Sequence, residues 1–300
     1  MSFVRYVIYV LIGAALVVAG FCWVNRPQLV PVNAAVAGDF PADSFSHAAF
    51  EQLLGVYVDD GGYVDYERWY NDPMSVAELE SYLAAVAAYS PEATPERFAT
   101  RNDELAYWLY SYNAYVIRSV LSHWPLDSVT DVKAPLEAIK GMGFFYQLRY
   151  LFGGRAYSLL VVENDKIRKQ YKDPRIHFVL NCASESCPVI RPELPTGDAL
   201  ETLLADAATE FVSNPSNVTI DHDSKTVYLA AIFNWFEDDF LNWQRANGHI
   251  TKNGLIDYVT LIAPRSLALE LERADSYAVE FRDFDWTVNA SSAATSNTTH

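Results

Sequence analysis

The run LAYWLYSYNAYVIRSVL, Leu105 to Leu121, decides the fold class when set beside RYLFGGRAYSL, Arg149 to Leu159. In the first, Leu105, Trp108, Leu109, Tyr112, Val116, Ile117 and Val120 recur at spacings of three and four, the period of an amphipathic helix. Asn102-Asp103 marks its start. Asn113 falls on the apolar stripe, so its amide is expected to be buried and hydrogen-bonded. In the second, two short runs flank Gly153-Gly154, the signal of a two-residue hairpin turn. Val218 to Ile220 and Thr226 to Leu229 form a second hairpin around Asp223.

Working outward, Ser75-Val76-Ala77-Glu78 reads as a capping box opening a helix to about Tyr89. Val162 to Tyr171 reads as a helix broken by Asp173-Pro174, Asp198 to Val212 as a helix, and Ile232 to Trp243 as one amphipathic helix. Arg175 to Leu180 reads as a buried strand. Helices and hairpins mix without regular alternation, which predicts one α+β domain of mixed helices and antiparallel hairpins rather than a doubly wound sheet.

The chain begins with a different kind of sequence. Tyr6 to Val24 is a continuous apolar stretch preceded by Arg5. Its length is near the roughly 20 residues that cross a bilayer, and a basic residue before an apolar run also opens a secretory signal. Ala35-Val36-Ala37 offers a cleavage site, but it lies well past the apolar end. An uncleaved anchor is therefore preferred over a cleaved signal. Either reading gives a membrane-anchored or secreted protein whose bulk is extracytoplasmic, periplasmic in a bacterium. Residues 1–24 are read as anchor or signal, 25–43 as a proline-containing linker, 44–289 as the folded domain and 290–300 as a small, polar, disordered tail. The formal net charge of −16 disfavours nucleic acid as a partner, because such a surface repels phosphate backbones.

The chemistry concentrates in His177-Phe178-Val179-Leu180-Asn181-Cys182-Ala183-Ser184-Glu185-Ser186-Cys187-Pro188, which holds both cysteines outside the apolar segment. Two readings stay open. A thiol hydrolase or acyl transferase would use Cys182 or Cys187 as nucleophile, His177 as base and Glu163 or Asn113 to orient the imidazole. Arg175, two residues from His177 on a strand, would share its face and lower a thiol pKa or hold a carboxylate. Alternatively, Cys182 and Cys187 form a disulfide, as exported compartments favour, and staple a binding pocket. Two cysteines, His177 and a carboxylate would suit zinc, but no paired C-x-x-C motif accompanies them and no metal is assigned. The chain contains no glycine-rich phosphate loop, H-E-x-x-H or nucleophile elbow, and no cofactor is assigned.

Several segments together resemble the family known as domain of unknown function 547. They are Gly62-Tyr63-Val64-Asp65-Tyr66; Trp108 to Ala114; Ser158-Leu159 with Glu163 and Arg168; Asp173 to Phe178 with Cys182 and Ser186-Cys187-Pro188; Ile232 to Phe236 with Asp239-Phe240; and Phe284-Asp285-Trp286. Tyr110 stands where the family has its first Asn, and Asn164 where a His commonly follows the Glu. The resemblance implies a shared fold and a shared site, not a reaction. It places a pocket where the Trp108 helix, Glu163 and the His177–Cys187 segment meet. Candidate catalytic residues are His177, Cys182, Cys187 and Glu163. Candidate binding residues are Asn113, Arg168, Arg175, Trp108 and Tyr112. The order of segments also loosely resembles transglutaminase- and papain-like folds, although no Cys starts the central helix. The expected role is binding of a small molecule or peptide in a disulfide-stapled pocket, with the Cys–His enzyme as the alternative.

Overall fold

The computed structural model describes residues 3–137, 140–249 and 252–291. The predicted tail lies mostly outside them. Helix α1 (Phe3–Val24) is followed by the short strand β1 (Gln28–Leu29) and by helices α2 (Ala48–Tyr57), α3 (Tyr66–Tyr70), α4 (Pro73–Ala88) and α5 (Arg101–Ser122). Strands β2 (Leu148–Phe152) and β3 (Arg155–Tyr157) form the first hairpin. Three joined helical pieces come next: α6 (Leu159–Val161), a π-helix (Val162–Arg168) and α7 (Lys169–Tyr171). Helix α8 (Ala199–Ser213) precedes the second hairpin, β4 (Val218–Asp221) and β5 (Thr226–Leu229). Helices α9 (Ala231–Trp235), α10 (Glu237–Ala246), α11 (Leu255–Ile262) and α12 (Arg265–Arg273) and strand β6 (Ala278–Phe281) complete the α+β fold.

Helix α5 is the centre of the molecule. Thr100 and Asp103 close a reciprocal capping box at its start, satisfying amide donors that the first turn leaves free. From Leu105 to Leu121 every residue except Arg118 is buried. The sequence predicts an amphipathic stripe, but the helix is enclosed on nearly all sides. Its tyrosines make this tolerable, because a phenol buries a large ring while its hydroxyl still finds a partner. Tyr107 donates to the Val86 and Tyr89 carbonyls, Tyr110 to that of Pro195 and Tyr115 to that of Leu151. Arg118 reaches the edge and pairs with Glu80 at 2.8 Å.

Both predicted hairpins form, and each acquires a third strand from a distant part of the chain. Strand β1 pairs in parallel with β2, and β6 in parallel with β5. These parallel partners carry no local signal of their own. Helix α4 starts at Asp72 rather than at the Ser75 box, because the Asp72 carboxylate accepts from the amides of Met74 and Ser75.

The segment read as a linker is instead a strap across the domain. Arg118 donates to the Pro31 carbonyl, Ser81 to that of Ala35 and Arg97 to that of Pro41, while Val30 and Val32 pack against the core. Asn289 and Ser291 are buried, and Ala290 bridges to Val64.

Deleting residues 1–24 keeps this strap, whereas deleting 1–43 removes it. Thermal melts followed by circular dichroism should show the shorter protein melting lower, by about 2–4 °C for each kcal/mol lost. Equal melting temperatures would mean that the strap contributes nothing to stability.

Candidate functional site

The site begins with a turn that the sequence reading missed. Asp173 accepts from the amide of Arg175 at 2.9 Å, and Pro174 pre-sets the following φ. Pro174–Phe178 is therefore a 3₁₀ turn, not a strand. The change separates Arg175 from His177. The Arg175 guanidinium is held by Asp173 and, at 2.7 Å, by Glu201, so it neither faces the cysteines nor lies in the cleft described below. His177 turns inward and stacks on Phe236 with ring centroids 3.9 Å apart.

The partner of His177 is Asp239, not Glu163 or Asn113. Asp239 Oδ2 lies 2.8 Å from His177 Nε2 and 2.7 Å from Arg168 Nε. Burial drives the His177 pKa down, outweighing the pull of Asp239, so the ring is neutral near pH 7 and Nε2–H is the donor to the carboxylate. Partial burial pushes Asp239 up, but hydrogen bonds and charge from His177 and Arg168 win and hold it at about 2. Asp239 is reachable because the predicted Ile232–Trp243 helix breaks at Phe236, which ends α9 and starts α10. Its position in the first turn of α10 also favours a negative charge.

Glu163 and Arg168 come from the π-helix. Five residues apart on an α-helix they would point roughly 140° from one another, at 3.6 residues per turn. The i→i+5 pattern of a π-helix brings such residues onto a common face. Asn164 Oδ1 accepts from Arg168, so the residue that departs from the family pattern anchors the guanidinium. Desolvation raises the Glu163 pKa to about 7, against the opposing pull of Arg168 and Tyr112. Tyr112 Oη lies 3.5 Å from its carboxylate. The two carboxyls of the site thus differ in state near neutral pH, Asp239 ionised and Glu163 about half protonated.

These groups open on a cleft of about 630 Å³ lined by Tyr112, Glu163, Asn164, Arg168, His177, Cys182 and Cys187. The rest of its wall is mainly apolar, including Met142, Phe145, Trp235, Phe236, Phe284 and Trp286. Cys182 and Cys187 are joined by a disulfide. The C-terminal segment laces over the bridged loop: Glu185 N–H donates to the Thr287 carbonyl, and Asn289 N–H to that of Ala183. Of the binding residues expected from sequence, Tyr112 and Arg168 reach the cleft. Trp108 is instead packed against Phe152 and Tyr107. Asn113 also lies outside the cleft, with a structural task. Its amide donates to the Val179 carbonyl and accepts from the Asn181 N–H, each at 3.0 Å.

Asp239, Asn164 and the aromatic wall were absent from the sequence-derived site. Asp239 stood in the sequence only among the residues that carry the family resemblance, with no role assigned, because Glu237-Asp238-Asp239 reads as a solvated helix face. Among the described residues, no group of three His, Cys, Asp or Glu side chains is arranged to hold a metal ion.

Residues 96–212 match the family described as "Protein of unknown function, DUF547", so the chain carries a domain of that family over this stretch. The match includes α5, the π-helix, His177 and both bridged cysteines, and stops before Asp239 and the aromatic wall from α9 and the C-terminal segment. No curated protein and no solved structure gives a match, so the transglutaminase- and papain-like expectation gains no support.

A carboxyl whose folded pKa stands above its ordinary 4.5 stabilises the fold most when protonated. Its contribution is complete below 4.5 and is lost as pH rises through about 7. The melting temperature of Glu163→Gln relative to the parent should therefore improve between pH 5 and pH 8; a pH-independent difference would show that Glu163 ionises normally. Asn113→Leu should cost about 1–3 kcal/mol in denaturant unfolding, because it leaves the Val179 carbonyl and Asn181 amide buried without partners.

Proposed function

We propose that this is an extracytoplasmic domain tethered by α1, and that its disulfide-stapled cleft binds a small molecule or peptide with an apolar body and a polar end. The observation that carries this reading is the cleft itself: an aromatic wall facing a compact polar group, beside cysteines that are bridged rather than free. Such a combination suits ligand capture, in which apolar walls supply burial and a few fixed polar groups set orientation. Half-protonated Glu163 can donate or accept a hydrogen bond. Arg168 is already committed to Asp239 and Asn164, which limits it to a positioning role.

Two observations support the tether and the compartment. Val7–Val24 within α1 is long and apolar enough to cross a membrane. Cleavage after Ala37 would remove β1 and the contacts of Asn25, Pro31 and Ala35, which favours an uncleaved anchor. A disulfide fits an oxidising compartment. The thiol-enzyme reading requires this bridge to open, with Asp239 rather than Glu163 or Asn113 orienting His177.

The test is to alkylate thiols without reductant in protein taken from its native compartment, then map Cys182 and Cys187 by mass spectrometry. An intact bridge is expected, and its reduction should cost roughly 2 kcal/mol for so short a loop in the chain-entropy model. The purified protein should also bind anilinonaphthalene sulfonate saturably, and Trp235→Ala should weaken that binding. Two free cysteines, one alkylated rapidly below neutral pH, would replace this reading with a thiolate enzyme.

A further inference from the structure

We propose that the cleft opens at the membrane surface and takes up the acyl chain of a bilayer lipid; this rests on the binding reading above and names its ligand class. The argument starts from the residues that follow α1. The Asn25 N–H bonds back to the Phe21 carbonyl at 3.0 Å, extending the helix by one residue. The Asn25 side chain then accepts from the Leu136 N–H at 3.1 Å and donates to the Leu136 carbonyl at 3.2 Å. Gln147 donates to the Arg26 carbonyl, and Gln28 and Leu29 pair with Leu148 and Arg149.

Both ends of the 136–149 segment are thus bonded to the first five residues after the apolar helix. At no more than about 3.5 Å per residue, Leu29 stands within roughly 17 Å of the end of α1. Between those bonded ends lie Lys140, Met142, Phe145 and Tyr146, which form one lip of the cleft. The lip is therefore bound by geometry to the point where the chain would leave a bilayer.

The surface chemistry at this edge fits that position. Leu136, Tyr146, Leu160 and Trp235 are large apolar side chains left 41–49% exposed, a cost in water that a lipid interface removes. Aromatic and basic side chains meet here in pairs. Arg26 lies over Trp23 at 5.7 Å, Arg149 over Tyr146 at 5.4 Å and Lys140 over Trp286 at 5.5 Å. Aromatic and basic groups of this kind settle at the headgroup level. In a chain of net charge −16, these cations suit lipid phosphates. A hydrocarbon chain needs no hydrogen bonds, which matches the Met, Phe and Trp wall.

The full-length chain would be reconstituted into phosphatidylcholine vesicles containing phosphatidylcholine with a photoactivatable diazirine in its acyl chain. After irradiation, adducts would be mapped by peptide mass spectrometry. Adducts on Met142, Tyr146, Leu160 or Trp235 are expected, besides those on α1. Trp235→Glu and Leu160→Glu, on separate elements, should each cut the cleft adducts by roughly tenfold or more, because a carboxylate among hydrocarbon is strongly disfavoured. Labelling of α1 should be unchanged in both. Adducts confined to residues 3–24 would overturn the proposal. Monomeric dodecylphosphocholine, titrated below its micelle concentration and followed by tryptophan fluorescence, separates the two readings. If it binds while bilayer adducts miss the cleft, the cleft is a binding site that does not face the membrane. If neither is seen, both readings fail.

Discussion

The amide of Asn113 is the contact on which the site depends. It sits on the most enclosed helix of the fold and clamps the backbone on both sides of Leu180. Upstream of the clamp lies the 3₁₀ turn that aims His177 inward, and downstream lies the bridged Cys182–Cys187 loop. A buried amide with two backbone partners is stable only when both bonds form, because either unpaired group would keep its desolvation cost. The clamp therefore fixes the His177 turn and the disulfide loop relative to α5. The C-terminal segment then secures the loop from the other side through the Ala183 and Glu185 bonds.

Charge in the cleft is organised by the same kind of exclusion. Asp239 receives two donors and stays ionised, while Glu163, with a weak contact to Tyr112 and little access to water, takes up a proton near neutrality. Carboxyls pushed in opposite directions by their surroundings give one site both a fixed anion and a proton donor. Arg168 bonds Asp239, leans on Asn164 and lies 4.6 Å from the centre of the Phe236 ring, and its charge opposes the upward shift of Glu163. His177, committed to Asp239 and stacked on Phe236, works as a rigid wall of the cleft. Arg175, which the sequence places beside it, serves a separate ion network with Asp173 and Glu201.

Much of the fold was readable from periodicity and punctuation. Helix α5, α8, both hairpins and the existence of α4 follow from apolar spacing, caps and Gly-Gly or Asp-rich turns. The disulfide was one of two readings, since two cysteines five positions apart suit a bridge but do not exclude free thiols. The failures share a cause. Val179 and Leu180 gave the look of a strand, but the Asp173 cap and Pro174 impose a tighter turn just before them. The helix through Phe236 has unbroken amphipathic spacing, yet the chain bends there so that Asp239 can reach His177 and Arg168.

The sequence by itself determined the α+β class, the central helix, the apolar N-terminal segment, and the candidates His177, Cys182 and Cys187. These depend on local patterns of spacing, capping, composition and the scarcity of cysteine, whereas Glu163 became a candidate through the family resemblance. Tertiary structure alone decided that Asp239 partners His177, that a π-turn aligns Glu163 with Arg168, that Asn113 is a clamp, and that residues 25–43 form a strap. Each of these joins chain segments through hydrogen bonds whose partners are set by three-dimensional packing, or replaces a regular helix with a geometry that only such packing sustains. No one-dimensional pattern encodes that pairing.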